Sequence, residues 1–286
     1  MTKSSGTGVA TITIEEQKQF FKNFRCEVLT SKEQNRTAIM DFEATEDGKS
    51  LEVYLKNKAW SDDLQGETRV FLVKDLDDNI ALFFSVKCGL LYEQYVYDKL
   101  DKVERDFVDS IIDAKKMSDY ETLEAYYEYG STEFEDIDKL FKAADKRIDI
   151  KNENERLKDD RNTLKVSECY SAVEIHHFCK NNKYVIDEKI KIPIGFGLFW
   201  EQIVPHIIKI TGLIGCKYLY LFAADNTETG DVKKLVKYYK SALKFSDVED
   251  VNVIKPEYDK NCYGLLQEIS DLKENKSAVW ETFSDI

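Results

Sequence analysis

The sequence lacks any apolar run close to the roughly 18 residues that a membrane-spanning helix needs. Its first residues, MTKSSGTGVATITIEE, also lack the basic stretch and apolar core of a secretory signal. No Cys-x-x-Cys pair occurs, and the six cysteines are scattered along the chain. These absences predict a cytoplasmic protein with reduced thiols and no membrane partner.

An excess of basic residues is missing as well. With 41 Lys and Arg against 54 Asp and Glu, the formal net charge at pH 7 is −13. Because binding to a phosphate backbone depends on Lys and Arg, this balance predicts no nucleic-acid partner. An acidic surface favours a cationic small molecule or a basic peptide, and solubility alone is a second explanation for it.

The sequence also lacks a convincing metal motif. The run HHFC brings two histidines and a cysteine together at His176, His177 and Cys179, and His206 is a further candidate ligand. Adjacent strand residues point to opposite faces, however, which is poor geometry for tetrahedral zinc. We therefore expect no metal, and no supporting motif makes Cys179 a nucleophile.

The pattern that is present alternates strands and helices. Two apolar runs, TRVFLVKD and NIALFFSVKCGLLYE, flank a short acidic turn and predict a hairpin. RTAIMDFE and LEVYLKN alternate apolar and polar residues and predict further strands. Residues 93–163 are dense in charge and carry apolar residues at helical spacing, which predicts a helical insertion. The whole, residues 1–286, is interpreted as a single α/β domain with a mixed sheet.

Residues 172–239 hold the most informative stretch. A strand, AVEIHHFCKNNKY, leads through a polar spacer to the turn IPIGFG and an apolar helix; CKYLYLFAADN and LVKYYK then predict a strand and a helix. Glycines at a helix N-terminus let backbone N–H groups approach an anion such as a pyrophosphate. No Gly-Lys-Ser/Thr comes after them, as a Walker loop requires, and the third glycine of a Rossmann fingerprint is missing.

This order resembles the GNAT superfamily of N-acetyltransferases, in which a strand, an Arg/Gln-x-x-Gly-x-Gly/Ala turn, a helix, a strand and a tyrosine-bearing helix follow one another. The resemblance implies a mostly antiparallel central sheet flanked by helices. Two features depart from the family pattern. Ile192 occupies the Arg/Gln position, with Lys191 as the nearest cation, and the spacer before the turn is longer than usual.

The resemblance also implies a site for acetyl-CoA. Its pyrophosphate would lie on the backbone N–H groups of the turn, and its pantetheine arm would pair with the end of the preceding strand. The residues assigned to the cofactor are Phe178, Cys179, Lys180, Lys191, Ile194, Gly195, Phe196, Gly197, Leu198 and Asn226.

Acetyl transfer needs a base for the amine and an acid for the departing thiolate. Tyr239 is predicted as the acid, with Tyr238 as the second choice, and packing is the alternative role for both. Glu174 and His176, two residues apart on one strand face, are predicted as the base. The alternatives are a hydrogen-bonded core histidine and a base replaced by a chain of waters.

The predicted function is therefore an acyl-CoA-dependent N-acyltransferase that moves an acetyl group to a primary amine of a small molecule or peptide in a ternary complex. A catalytically inactive binding or regulatory module of the same fold is the alternative, because Ile192 replaces the usual cation. An unrelated nucleotide-binding α/β protein is a third interpretation. The helical insertion is expected to act as a lid, an acceptor wall or a homodimer contact, or to be a solvated outcrop.

Overall fold

The computed structural model describes residues 12–93, 96–156, 166, 168–224, 232–248, 251–255 and 262–281, with backbone alone over 149–156. The strands are β1 Arg25–Val28, β2 Arg69–Lys74, β3 Ile80–Glu93, β4 Glu168–Lys180, β5 Tyr218–Ala224, β6 Ser246–Asp247, β7 Asn252–Val253 and β8 Cys262–Glu268. The helices are α1 Ile14–Lys22, α2 Gln34–Ala38, α3 Lys49–Asn57, α4 Ala59–Gln65, α5 Val96–Lys99, α6 Lys102–Met117, α7 Tyr120–Glu133, α8 Ile137–Arg156, α9 Ile194–Leu198, α10 Val204–Ile214, α11 Lys233–Ser241 and α12 Ile269–Ala278. In the part of the chain covered by these ranges, no helix is long and apolar enough to cross a membrane.

The strands form one mixed sheet in the order β1-β2-β3-β4-β5-β8-β6. The pairs β1–β2, β2–β3, β5–β8 and β6–β8 are antiparallel, and β4–β5 is parallel. The predicted fold class, a mixed and mostly antiparallel sheet flanked by helices, is confirmed. The predicted hairpin is β2 and β3, with Asp78 in the left-handed region (φ 68°) in the turn between them.

By its internal contacts the chain divides into two compact units. The first comprises residues 1–91, 170–249 and 253–286, and the second comprises 92–169 and 250–252. In the first unit, one apolar cluster unites α1, α9 to α12 and the sheet, and a second cluster packs α3 and α4 on β2 and β3. The sheet of this unit is therefore covered on both faces.

The second unit contains the helices α5 to α8, which share a small core of their own. Val108, Ile111 and Leu140 are almost completely buried there. Two tyrosines of α7 make contacts within the unit. Tyr127 donates a hydrogen bond to Asp138 (3.0 Å), and Tyr126 packs edge-on against Phe107.

Two strand predictions are wrong. RTAIMDFE forms α2 and a short 3₁₀ turn, and LEVYLKN lies inside α3. Leu51, Tyr54 and Leu55 pack toward the core at helical spacing, whereas Val53 is 51% exposed. Alternation over so few residues is also compatible with one face of a helix, so the pattern alone cannot distinguish the two.

The helix after IPIGFG is continuous from Ile194 to Ile214 but changes its winding. A π-helical turn, Phe199–Ile203, separates α9 from α10, and Pro205 lies in the first turn of α10. Proline has no N–H to offer the carbonyl four residues earlier and its ring crowds that carbonyl, so a wider turn before it accommodates the ring. The helix thus accommodates Pro205 with a π-helical turn and continues through it.

Candidate active site

The parallel strands β4 and β5 pair along only part of their length. Their register runs from Ala172–Tyr218 to Ile175–Leu221 and ends there. β4 nevertheless continues to Lys180 and β5 to Ala224. Past Ile175 the two strands therefore separate, and backbone groups of β4 are left without this partner strand.

A cleft of about 730 Å³ opens where the strands separate, and we call it the β4–β5 cleft. Its walls come from the ends of both strands, from α11 and from the segment around α3. The lining residues are Thr45, Asp47, Gly48, Leu51, Ile175, His176, His177, Phe178, Cys179, Lys180, Leu221, Phe222, Ala224, Lys234, Leu235, Tyr238 and Tyr239. Residues 45–51, which lead into α3, form one wall of the cleft. This wall is not predicted from the sequence, because LEVYLKN is interpreted there as a strand.

The start of α9 lies beside this cleft. The amide of Gly197 donates the first helical hydrogen bond, to the carbonyl of Pro193 (3.0 Å), so the amides of Ile194 and Gly195 precede the helical ladder. A Cβ placed on Gly195 would lie 3.2 Å from the hydroxyl oxygen of Tyr238 and 4.0 Å from the ring of Phe178. Gly195 thus keeps the helix start within reach of two residues that line the cleft.

The second glycine of the turn serves the core. A Cβ on Gly197 would lie 2.4 Å from the ring of Phe21 on α1, closer than real contacts allow. Phe196 and Leu198 are also buried, at 1% and 0% exposure. Of the turn residues predicted to meet a pyrophosphate, only Ile194 and Gly195 are partly exposed.

Ile192 stands where the family pattern of the turn has Arg or Gln, and Lys191 precedes it. The side chain of Ile192 is 1% exposed and belongs to the main core. The side-chain oxygen of Gln17 accepts hydrogen bonds from the amides of Lys191 (2.7 Å) and Ile192 (3.1 Å). The turn is therefore anchored to α1 through its backbone. Among the residues that the structure describes, the lysines that line the cleft are Lys180 and Lys234.

The end of β4 contributes Phe178, Cys179 and Lys180 to the cleft, as the sequence predicts. Cys179 is 8% exposed, and burial raises the pKa of its thiol to about 12. A thiol so hard to ionise is a poor nucleophile at neutral pH. Asn226, the remaining residue predicted for the cofactor, lies outside the described residues.

Glu174 and His176 lie on one face of β4 and contact each other. The Nδ1 atom of His176 lies 2.6 Å from Oε1 of Glu174, and the hydroxyl of Tyr220 on β5 donates to Oε2 at 3.1 Å. Burial acts to raise the pKa of Glu174, but these hydrogen bonds and the charge of Lys87 outweigh it and hold the pKa below its ordinary value. An ionised Glu174 fixes a proton on Nδ1 of His176 and leaves Nε2 as the basic nitrogen.

His177 lies beside His176, with 4.3 Å between the ring centroids, so the prediction that the two side chains point to opposite faces is wrong. Its Nδ1 atom lies 2.8 Å from the hydroxyl of Ser85, and its ring lies 3.9 Å from that of Tyr54, centroid to centroid. Burial, and to a lesser extent the charges of His176 and Lys87, lower the pKa of His177 to about 3. His177 is therefore a neutral residue of the packed face.

Both candidate tyrosines of α11 line the cleft. Tyr238 is partly exposed, and Tyr239 is 7% exposed and packs against Phe245 with 6.3 Å between ring centroids. Burial raises the pKa of both hydroxyls, so both remain protonated at neutral pH. Either group is thus able to donate a proton into the cleft, and α11 presents both from one wall.

No protein-family model matches the sequence, and no curated protein is similar to it in sequence. Among solved structures, a mutant of the toxin AtaT is similar at a TM-score of 0.46 and 9% identity, over 88% of this chain and 93% of that chain. The same mutant bound to the C-terminus of the antitoxin AtaR and acetyl-CoA gives 0.43 and 9%, over 88% and 97%. AtaT complexed with acetyl-methionyl-tRNAfMet gives 0.43 and 10%, over 88% and 98%.

Likenesses of this size do not decide what this chain binds. The tRNA complex nevertheless means that the comparisons lend no support to the prediction of a protein without nucleic-acid partners. The predictions of a small-molecule or peptide acceptor, a homodimer and a cytoplasmic location stay predictions. The geometry of the β4–β5 cleft is the basis on which a function can be proposed.

We expect His177 to make the fold sensitive to acid. In the unfolded chain a histidine binds a proton near pH 6.5, but folded His177 resists protonation down to about pH 3. Stability is therefore lost as the pH falls from 6.5 toward 3, by about 2 kcal/mol between pH 7 and pH 5. His177→Gln removes this pH dependence while keeping a partner for Ser85, and urea unfolding at the two pH values measures it. Equal losses in wild type and variant would contradict the assignment.

Proposed function

We propose that this protein is an acyl-CoA-dependent N-acyltransferase that moves an acetyl group from acetyl-CoA to a primary amine. The observation that carries the proposal is the separation of β4 and β5 past Ile175 and Leu221, with His176 at the opening. Such an opening provides a backbone edge, a basic nitrogen and protonated hydroxyls within one cleft. These are the groups that acyl transfer to an amine requires.

The residues present fit acetyl-CoA. The edge of β4 from residue 176 to 180 can pair with the amides of a pantetheine arm, as a sheet edge pairs with an extended peptide. The amides of Ile194 and Gly195 at the start of a 21-residue helical segment, residues 194–214, suit a pyrophosphate. Lys180 and Lys234 add positive charge to the same cleft. A cleft of about 730 Å³ is within the range of small-molecule sites.

His176 is the base in this mechanism. Glu174 holds its Nδ1 side, so Nε2 receives the proton that the amine loses, directly or through water. Asp47 lines the same cleft and suits the cationic form in which a primary amine arrives. Aligning the amine with the thioester contributes to the rate independently of the proton transfer.

Tyr239, with Tyr238 as the second choice, is the acid. The amine nitrogen forms a bond to the acetyl carbonyl carbon as the bond from that carbon to sulfur breaks. The cationic amine gives up two protons in all, one to solvent before it attacks and one to His176. The sulfur takes the hydroxyl proton, and the proton held by His176 returns to the tyrosine through solvent, so the enzyme ends as it began. Because burial raises the pKa of both tyrosines, both hydroxyls are protonated at neutral pH before the reaction begins.

A catalytically inactive binding module with this fold is the second candidate. The observation that favours it is Ile192, which is buried in the core at the position where the family pattern has Arg or Gln. Such a module would bind CoA in the same cleft and release no thiol. Binding and turnover therefore need separate measurements.

Binding is tested through thermal stability. A ligand that binds only the folded state raises the melting temperature, so acetyl-CoA and CoA at millimolar concentration should raise it more than ATP. Gly195→Val places a side chain against Tyr238 and should abolish the rise. Gly212→Ala is the matched control, since a Cβ there meets nothing within 4 Å, and it should retain the full response. An unchanged melting temperature with acetyl-CoA and CoA in wild type would exclude the proposal.

Turnover is tested by thiol release from acetyl-CoA with a panel of polyamines, basic peptides and aminoacyl esters. His176→Gln should reduce kcat by about 10²–10⁴-fold while the thermal response to acetyl-CoA is retained. Tyr239→Phe should reduce kcat by a comparable factor, and Tyr238→Phe is its neighbouring control. If wild type binds CoA but no amine in the panel elicits thiol release, the inactive module is favoured. If His176→Gln retains full turnover, His176 is not the base.

A further inference from the structure

The side chain of Tyr220 on β5 extends across β4, next to the Glu174–His176 pair, and reaches β3. It lies directly opposite Glu174 in the β4–β5 register, and its hydroxyl donates to Oε2 of that carboxylate at 3.1 Å. The tyrosine is 6% exposed, and its hydroxyl lies beyond β4, against β3. One side chain thus links three neighbouring strands at the level of the Glu174–His176 pair.

The place that the Tyr220 ring occupies exists because position 89 of β3 is glycine. A Cβ on Gly89 would lie 2.3 Å from Cε1 and 2.4 Å from the hydroxyl oxygen of Tyr220. Gly89 is not among the glycines with positive φ, so its backbone conformation does not demand glycine. Glycine within a strand weakens it and marks a close approach by another group. Here that group is the end of the Tyr220 side chain.

Each oxygen of the Glu174 carboxylate has its own hydrogen-bond partner. Oε1 faces His176 at 2.6 Å and Oε2 accepts from Tyr220 at 3.1 Å, so neither oxygen is left to rotate toward another partner. A carboxylate held at both oxygens presents one fixed acceptor to Nδ1 of His176. The direction of Nε2 then depends on the tyrosine as well as on the carboxylate.

We propose that Gly89 and Tyr220 are positioning residues that orient the Glu174–His176 pair. A role of these residues in catalysis rests on the proposed function. Their effect on the orientation of the Glu174 carboxylate does not depend on it. The charged and titratable groups that act on Glu174 are His176 on β4, Tyr220 on β5 and Lys87 on β3. Beyond the pair, His176 faces His177, and the cleft adds Asp47, Lys180 and Lys234.

The test is an NMR titration of the Glu174 side-chain carboxyl carbon, assigned with Glu174→Gln. The hydrogen bond from Tyr220 favours the ionised carboxylate, so Tyr220→Phe should raise the pKa of Glu174. Gly89→Ala should displace the ring and produce the same shift without touching the tyrosine. Because both variants remove one interaction, the double variant should shift the pKa no further than either single variant.

Tyr218→Phe is the matched control. Tyr218 lies two residues away on the same face of β5, is 7% exposed and packs against Tyr170 instead of Glu174. It should leave the Glu174 titration unchanged. An unchanged pKa in Tyr220→Phe, or an equal shift in Tyr218→Phe, would overturn the inference.

The pH profile of acetyl transfer separates this inference from the proposed function. Where turnover is measurable, Tyr220→Phe and Gly89→Ala should move the acid limb of the kcat/KM profile to higher pH, in the direction of the carboxyl shift. If the variants shift the carboxyl pKa but the wild type transfers no acetyl group, the positioning of Glu174 is supported and the proposed acyltransferase function is rejected. If the wild type transfers acetyl groups but the variants show no carboxyl shift, the function is supported and the positioning role is rejected.

Discussion

The parallel pairing of β4 and β5 stops after four residue pairs, and the site depends on that stop. In a parallel pair each strand satisfies the backbone groups of the other, so continued pairing would close the cleft and leave no edge for a ligand. The separation keeps Ile175 and Leu221 in the core and turns the next residues of β4 toward the opening. Strand, helix start and α11 then meet around one space.

The walls of that space are held by packing that has little to do with the ligand. The ring of Phe21 packs against Gly197, and the side-chain oxygen of Gln17 accepts hydrogen bonds from backbone amides of the turn. The indole of Trp200 donates to the carbonyl of Ala242, just beyond the end of α11 (3.1 Å). Helix α1, the helical segment after the turn and α11 are thereby fixed to one core. A cleft with such rigid walls needs little reorganisation when a ligand enters it.

The sequence predicts elements with strong periodicity and misses contacts between distant residues. The hairpin of β2 and β3, the helical region after residue 93 and the strand–turn–helix–strand–helix order of residues 172–239 are predictable because apolar periodicity is local information. Short alternation is ambiguous, and α2 and α3 are therefore mistaken for strands. The contact of Tyr220 with Glu174 depends on register between strands 46 residues apart in sequence, which no local pattern encodes. The glycines of IPIGFG divide between the site and the core for the same reason.

Hydrogen–deuterium exchange with and without CoA is the most direct measurement of the central claim that the separated edge of β4 and the start of α9 form one binding site. We expect CoA to slow exchange at the amides of residues 176–180 and 194–195 and to leave the already paired residues 172–175 unchanged. Protection confined to other parts of the chain, with residues 176–180 exchanging as in the free protein, would contradict it.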